Sequence, residues 1–127
     1  MNPKIHIISF DVPYPANYGG VIDVFYKLKA LHDLGIEIHL HTYEYGRGEQ
    51  QELYKYCKKV FYYPRNSFMK SFLSTDPFIV KTRASQDLIR NLNLDDNPIL
   101  FEGLHTTYPI LSNQLVGRKL FIRAHNV

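Results

Sequence analysis

KIHIISFDVPYPANYGGVIDVFYKLKALHDLGIEIHLHTY, residues Lys4–Tyr43, decides how this chain folds. Lys4–Phe10 is a short apolar run rich in Ile, as expected of a buried strand. Asp11–Gly20 holds two prolines and two glycines and has to be a loop. Val21, Val24, Phe25, Leu28, Leu31 and Leu34 then fall on one stripe of a helix over Val21–Leu34. Asp23 in its first turn, and Lys29 and His32 towards its end, suit the helix dipole. Gly35 follows as the stop. Ile36–Tyr43 alternates apolar and polar residues, which predicts a second strand. Strand, loop, helix and strand make a βαβ unit with a parallel pair.

The same alternation continues outward. Glu49–Cys57 is a short helix candidate, and Lys59–Tyr63 is a third strand stopped by Pro64. Asp76-Pro77 starts a helix that runs to about Leu92, with Val80, Ala84 and Leu88 on its stripe. Asp95-Asp96-Asn97-Pro98 is a turn before a fourth strand, Ile99–Glu102. Thr106–Val116 predicts a helix, and Lys119–Arg123 a fifth strand. The fold class is therefore α/β: an open parallel sheet of about five strands, Rossmann-like, with helices on both faces as a three-layer αβα sandwich. The chain stops just after its last strand, as a piece of something longer would.

With 127 residues there is room for one domain. Apolar residues at 45% and charged residues at 21% exclude the disordered class. No apolar run approaches the roughly 18 residues of a spanning helix, and no secretory signal is present. One cysteine, Cys57, cannot form an internal disulfide, which favours a reducing, cytoplasmic setting. The formal charge of +3 does not argue for nucleic acid. Residues 47–90 nevertheless hold nine Lys/Arg against four Asp/Glu. Within them Tyr54–Phe78 combines Lys55, Lys58, Lys59, Arg65 and Lys70 with Phe61, Tyr62, Tyr63, Phe68 and Phe72. That mixture suits either an anionic leaflet, as a peripheral contact at the inner face of a membrane, or a strand and loop packed on the sheet.

Ligands of open α/β sheets bind outside the C-terminal ends of the strands. That rule selects Asp11–Gly20, Tyr43-Glu44, Glu102–Thr106 and His125-Asn126. Gly19 and Gly20 open the first helix, where free N–H groups suit phosphate; the bland alternative is a loop needing positive φ. No G-x-G-x-x-G is present, which weighs against a nicotinamide oxidoreductase, although Glu44 stands where a ribose ligand would. His105 and His125 fall just past strand ends, placed to act as acid, base or donor, or merely to tie loops together. Glu102, three residues before His105, could orient it. His39 and His41 share one face of a strand, but no third metal ligand is apparent beside them, and no metal site is expected. No nucleophile elbow G-x-S-x-G exists, and Cys57 is expected to be an inert packed thiol.

Three stretches together resemble a known family. Phe10–Leu34, with P-x-P and N-x-G-G ahead of the helix, resembles the opening of family-4-type retaining glycosyltransferases of the two-domain GT-B architecture. Ile99–Thr106 (ILFEGLHT) and Phe121–Asn126 (FIRAHN) are similar to their later strand-end motifs. The resemblance covers the whole chain and is nearest to bacterial members that make cell-surface polysaccharides. It implies that residues 1–127 are the N-terminal, acceptor-side domain, and that a C-terminal nucleotide-sugar domain is missing. The isolated piece would then be inactive. It implies that Asn17, Gly19 and Gly20 approach the donor diphosphate and the acceptor. His105 takes the active-site histidine position, and Glu102, His125 and Asn126 line the cleft. The donor would be a nucleotide-sugar and the acceptor a glycan or lipid-linked glycan, with no cofactor. The alternative reading is a non-catalytic Rossmann-like binding domain.

Overall fold

The computed structural model describes residues 2–44, 46–64, 83–103, 114–115 and 117–123. Five strands form one all-parallel sheet: β1 (Lys4–Ser9), β2 (Glu37–Glu44), β3 (Lys59–Pro64), β4 (Ile99–Glu102) and β5 (Leu120–Arg123). Helix α1 (Gly19–Asp33) links β1 to β2, a 3-10 helix (Gln51–Lys55) precedes β3, and α2 (Arg83–Leu92) precedes β4. The strand order is β3-β2-β1-β4-β5. The chain thus builds outward from β1 in one direction, then returns to β1's other side, and the reversal falls between β1 and β4. All five expected strands are present, and the α/β, Rossmann-like reading holds.

Alternation along the strands divides the core in two. Ile7, Ile38 and Leu40 pack with Val24, Phe25 and Leu28 of α1 and with Leu53 and Cys57 beside the 3-10 helix. Ile8, Tyr43, Tyr63, Ile99 and Phe101 pack on the other face with Leu88 and Leu92 of α2 and with Leu115. Both faces of β1 are covered, as a central parallel strand demands. The alternating pattern of β2 predicts a half-buried strand, yet His41 and Thr42 are as buried as their apolar neighbours. His41, on the polar face, is inside because hydrogen bonds satisfy it, as described below, and Thr42 lies on the face of Ile38 and Leu40.

Several boundaries differ from expectation. Helix α1 begins at Gly19 rather than Val21. Asp23 therefore lies beyond the first turn, which holds no acidic residue, while His32 keeps its place in the last turn. Gly19 and Gly20 are helical and do not carry positive φ, so the bland explanation of them does not apply. Gly35 does adopt φ +81° and ends α1, its N–H bonded to His32 O at 2.9 Å. The expected helix Glu49–Cys57 is only the short 3-10 turn, and Pro64 closes β3 from within by pairing with Glu44. The start of the helix expected at Asp76-Pro77 and most of that expected over Thr106–Val116 lie outside the described residues.

Candidate functional site

The strand order reverses at the C-terminal ends of β1 and β4, the switch point whose crevice is where open α/β sheets take ligands. The β1 side is tied by side-chain hydrogen bonds. Asp11 is buried; its Oδ1 accepts from Val12 N at 2.8 Å and its Oδ2 from Tyr18 Oη, while Ser9 Oγ donates to Asp11 O at 2.5 Å. This holds the proline-rich loop onto the strand and delivers the chain to α1. Tyr18, at the N-cap, makes no side-chain capping bond. The first N–H groups of α1 therefore lack the usual side-chain acceptor. Gly19 and Gly20 are exposed, and a Cβ at either would meet nothing within 4 Å among the described residues. A positively polarised helix start with no described side chain close to its two glycines suits an anion.

Arg47, from the segment after β2, joins this loop. Its Nη1 donates to Asn17 Oδ1 at 3.1 Å, its Nη2 donates to Pro15 O, and its guanidinium lies 5.4 Å from the Tyr18 ring centre. A full positive charge thereby stands beside the Asn17–Gly20 segment. On the β4 side, Glu102 is buried and accepts from Lys27 Nζ of α1. The carboxylate is balanced by a helix lysine, and the contact ties α1 to the end of β4. Farther out, Arg123 Nη2 of β5 faces Asp23 Oδ2 at 3.8 Å.

Of the residues selected from the sequence, Asn17, Gly19 and Gly20 therefore lie on the β1 side of the reversal and the buried Glu102 at the end of β4. His105, His125 and Asn126 lie outside the described residues. Arg47 was missed, because nothing in its local sequence marks it; only the pairing of β2 beside β1 brings it to Asn17. Glu44 accepts from Gly46 N at 3.2 Å and closes its own turn.

A second polar group occupies the opposite, N-terminal half of the sheet on the α2 face. His6 pairs in register with His39, and His41 sits two residues further along β2. Five side chains are joined in a line. Asn91 Nδ2 donates to Tyr63 Oη at 3.0 Å, and Tyr63 Oη donates to His41 Nδ1 at 2.8 Å. His41 Nε2–H donates to His6 Nδ1 at 2.9 Å, and His6 Nε2–H donates to Asp95 Oδ1 at 2.8 Å. This direction follows from donor chemistry: the amide NH2 can only donate, the carboxylate can only accept, and each neutral imidazole does one of each. Burial holds His41 well below the usual histidine range, and burial lowers His6 as well, against the pull of Asp95. Burial alone would raise Asp95, but the Asn97 N–H and His6 outweigh it and hold the carboxyl low. Both rings are thus neutral beside an ionised carboxylate. The third partner missing from the sequence reading of His39 and His41 comes from a neighbouring strand and a distant turn: one atom each of His6, His39 and Asp95 lies within 4.8 Å of the others.

Cys57 is buried, and burial pushes its thiol up to about 12, consistent with a packed, unreactive side chain. Within Tyr54–Phe78, Phe61 stacks on His41, Tyr63 is in the core and Tyr62 packs against it, whereas Tyr54 is exposed. The rings of residues 61–63 thus turn inward, and residues 65–78 lie outside the described part. No helix among the described residues is long and apolar enough to cross a membrane.

No known family profile matches the chain. It is similar to an uncharacterized 44.6 kDa protein in the cps region of Klebsiella pneumoniae, 33% identical over an alignment 131 residues long, gaps included, that takes in 97% of this chain. The chain spans about a third of that relative's length. Among solved structures it is similar to the C-terminal domain of a hydrogenase from Pyrococcus furiosus, with a TM-score of 0.64 over 95% of this chain and 91% of that one. At 14% identity this likeness concerns the fold alone.

Proposed function

We propose that this chain is the acceptor-side half of a glycosyltransferase that moves a sugar from a nucleotide-sugar to a glycan or lipid-linked acceptor during cell-surface polysaccharide synthesis. The observation that carries the reading is the uncapped start of α1 at the strand-order reversal, with Gly19 and Gly20 bare and Arg47 beside them. Sugar transfer leaves charge on a departing diphosphate. Fixed N–H groups and a guanidinium aimed at that charge lower the barrier without needing to reorganise. The polysaccharide context is supported by the relative's position in a cps, or capsular polysaccharide, region.

In this reading Asn17, Gly19, Gly20 and Arg47 receive the diphosphate, and Glu102, fixed by Lys27, shapes the acceptor side. By the family resemblance His105 is the catalytic histidine, His125 and Asn126 line the same cleft, and the donor's nucleotide is held mainly by a further domain. No cofactor takes part in the transfer.

The test is a panel of nucleoside-diphosphate sugars incubated with the full-length protein and undecaprenyl-linked or oligosaccharide acceptors, scored for nucleoside diphosphate release. Release with a subset of donors, reduced by about 100-fold or more in His105→Ala at unchanged circular dichroism, is the expected result. Failure of every donor to bind or react would remove the proposal, and near-normal turnover of the variant would remove His105 from its role.

A further inference from the structure

We propose that His6, His39 and Asp95 form a three-ligand site for a divalent transition-metal ion of the zinc class, at the N-terminal edge of the sheet. The site lies roughly 10 Å along β1 from the crevice, at the other end of the strands, and serves no step of sugar transfer. Two imidazoles and one carboxylate are donors that zinc accepts, and three protein ligands leave a fourth position for water. The three donor atoms already lie within 4.8 Å of one another. His6 Nε2 and Asp95 Oδ1, now 2.8 Å apart, need to open by only about half an ångström to become neighbouring ligands of a tetrahedral ion.

The surroundings are those of a supported metal centre. Metal-binding histidines are oriented by a partner on the other ring nitrogen. His6 has His41 there at 2.9 Å, backed by Tyr63, and His39 has Glu37 Oε2 on its Nε2 at 2.9 Å. The hydrogen-bonded line through His41 can reverse: His6 then carries its proton on Nδ1 and donates to His41 Nε2, which frees His6 Nε2 for the ion. His41 moves its own proton to Nδ1 and donates to Tyr63, so both rings stay neutral. Arg118 does not block Asp95. Its closest bonds go to Leu92 O and Asn97 O, and it approaches Asp95 Oδ1 only to 3.5 Å. Access is from solvent past Asp95, whose side chain is 30% exposed, while that of His6 is 3% exposed. Bound there, the ion would pin β1, β2 and the turn before β4 to one another.

Calorimetric titration of the full chain with zinc chloride, in a buffer that does not bind metal, tests this. One ion per chain and a raised Tm are expected. His39→Ala should weaken binding by more than about 100-fold, beyond what loss of a merely supporting partner causes. Cobalt(II) titrated into the wild-type chain supplies a readout that does not depend on the variant folding. Visible absorption of a four-coordinate ion, without thiolate charge transfer, is expected. No saturable zinc binding, equal binding by His39→Ala, or a cobalt spectrum with a thiolate band from Cys57 would each overturn the assignment.

Discussion

Arg47 reaches Asn17 across 30 residues of chain and brings a full charge to a helix start that otherwise offers only partial ones. A charge-assisted bond to a diphosphate is worth about 1.5–3 kcal/mol. Arg47→Ala should therefore raise the donor KM by about 10- to 100-fold, since each 1.4 kcal/mol is tenfold. The melting temperature should fall only slightly, because among the described residues the guanidinium is held only by Pro15, Asn17 and the Tyr18 ring of one loop. Donor titrations with both proteins measure this, and an unchanged KM would detach Arg47 from the diphosphate. The contrast with Gly19 and Gly20 is instructive. Those two residues were legible because a glycine pair ahead of a helix stripe has a physical meaning in local sequence. Arg47 and His6 were not, because their meaning arises only once strands pair. The same applies to Asp95, which reads locally as a turn residue and becomes the end of a buried hydrogen-bonded line.

Helix α1 and strand β2 were readable as elements because their apolar spacing is periodic and Gly35 punctuates them. The 3-10 turn over Gln51–Lys55 was not, since five residues are too few to establish a period. The starting point of α1 was misplaced by two residues because glycine is a poor helix former. There the absence of a side chain serves the crevice rather than the helix. The stripe itself predicts the energetics. Leu28 is fully buried against Ile7, Ile38 and Leu40, whereas Leu34, just past the last turn, is 74% exposed. Leu28→Ala should cost about 2–5 kcal/mol. Leu34→Ala should stay within about 0.5 kcal/mol. Urea unfolding of the two variants checks the difference, and comparable losses would mean that α1 packs otherwise.

At the scale of the whole molecule, three weak acids among the described residues, Tyr43, Tyr63 and Cys57, are held neutral in the core. Burial raises Tyr43 well above its ordinary value of 10.0, raises Tyr63 above the same value, and pushes Cys57 from 9.0 up to about 12. In each case the folded state keeps a proton that the unfolded chain gives up at lower pH. Their contribution is complete below the unfolded values and is lost as pH rises through the interval up to the folded ones. Thermal melts followed by circular dichroism should hold steady up to about pH 9 and then fall steeply towards pH 11. A Tm independent of pH across that span would contradict the burial of these groups.

The central position of β1 also imposes an order of assembly. His6 meets His41 at a sequence separation of 35 residues but meets Asp95 at 89. Closing the longer loop costs about 0.8 kcal/mol more in chain entropy, and it has to wait for the later residues to exist at all. As the chain emerges during synthesis, β1, β2 and β3 can associate while β4 is still unmade. Until then one flank of β1 lies bare, His6 has no carboxylate, and Lys27 has no Glu102 to hold. The half of the switch point that carries the glycines is thus the early half, and the arrival of β4 covers the bare flank of β1 while leaving its own far side for β5.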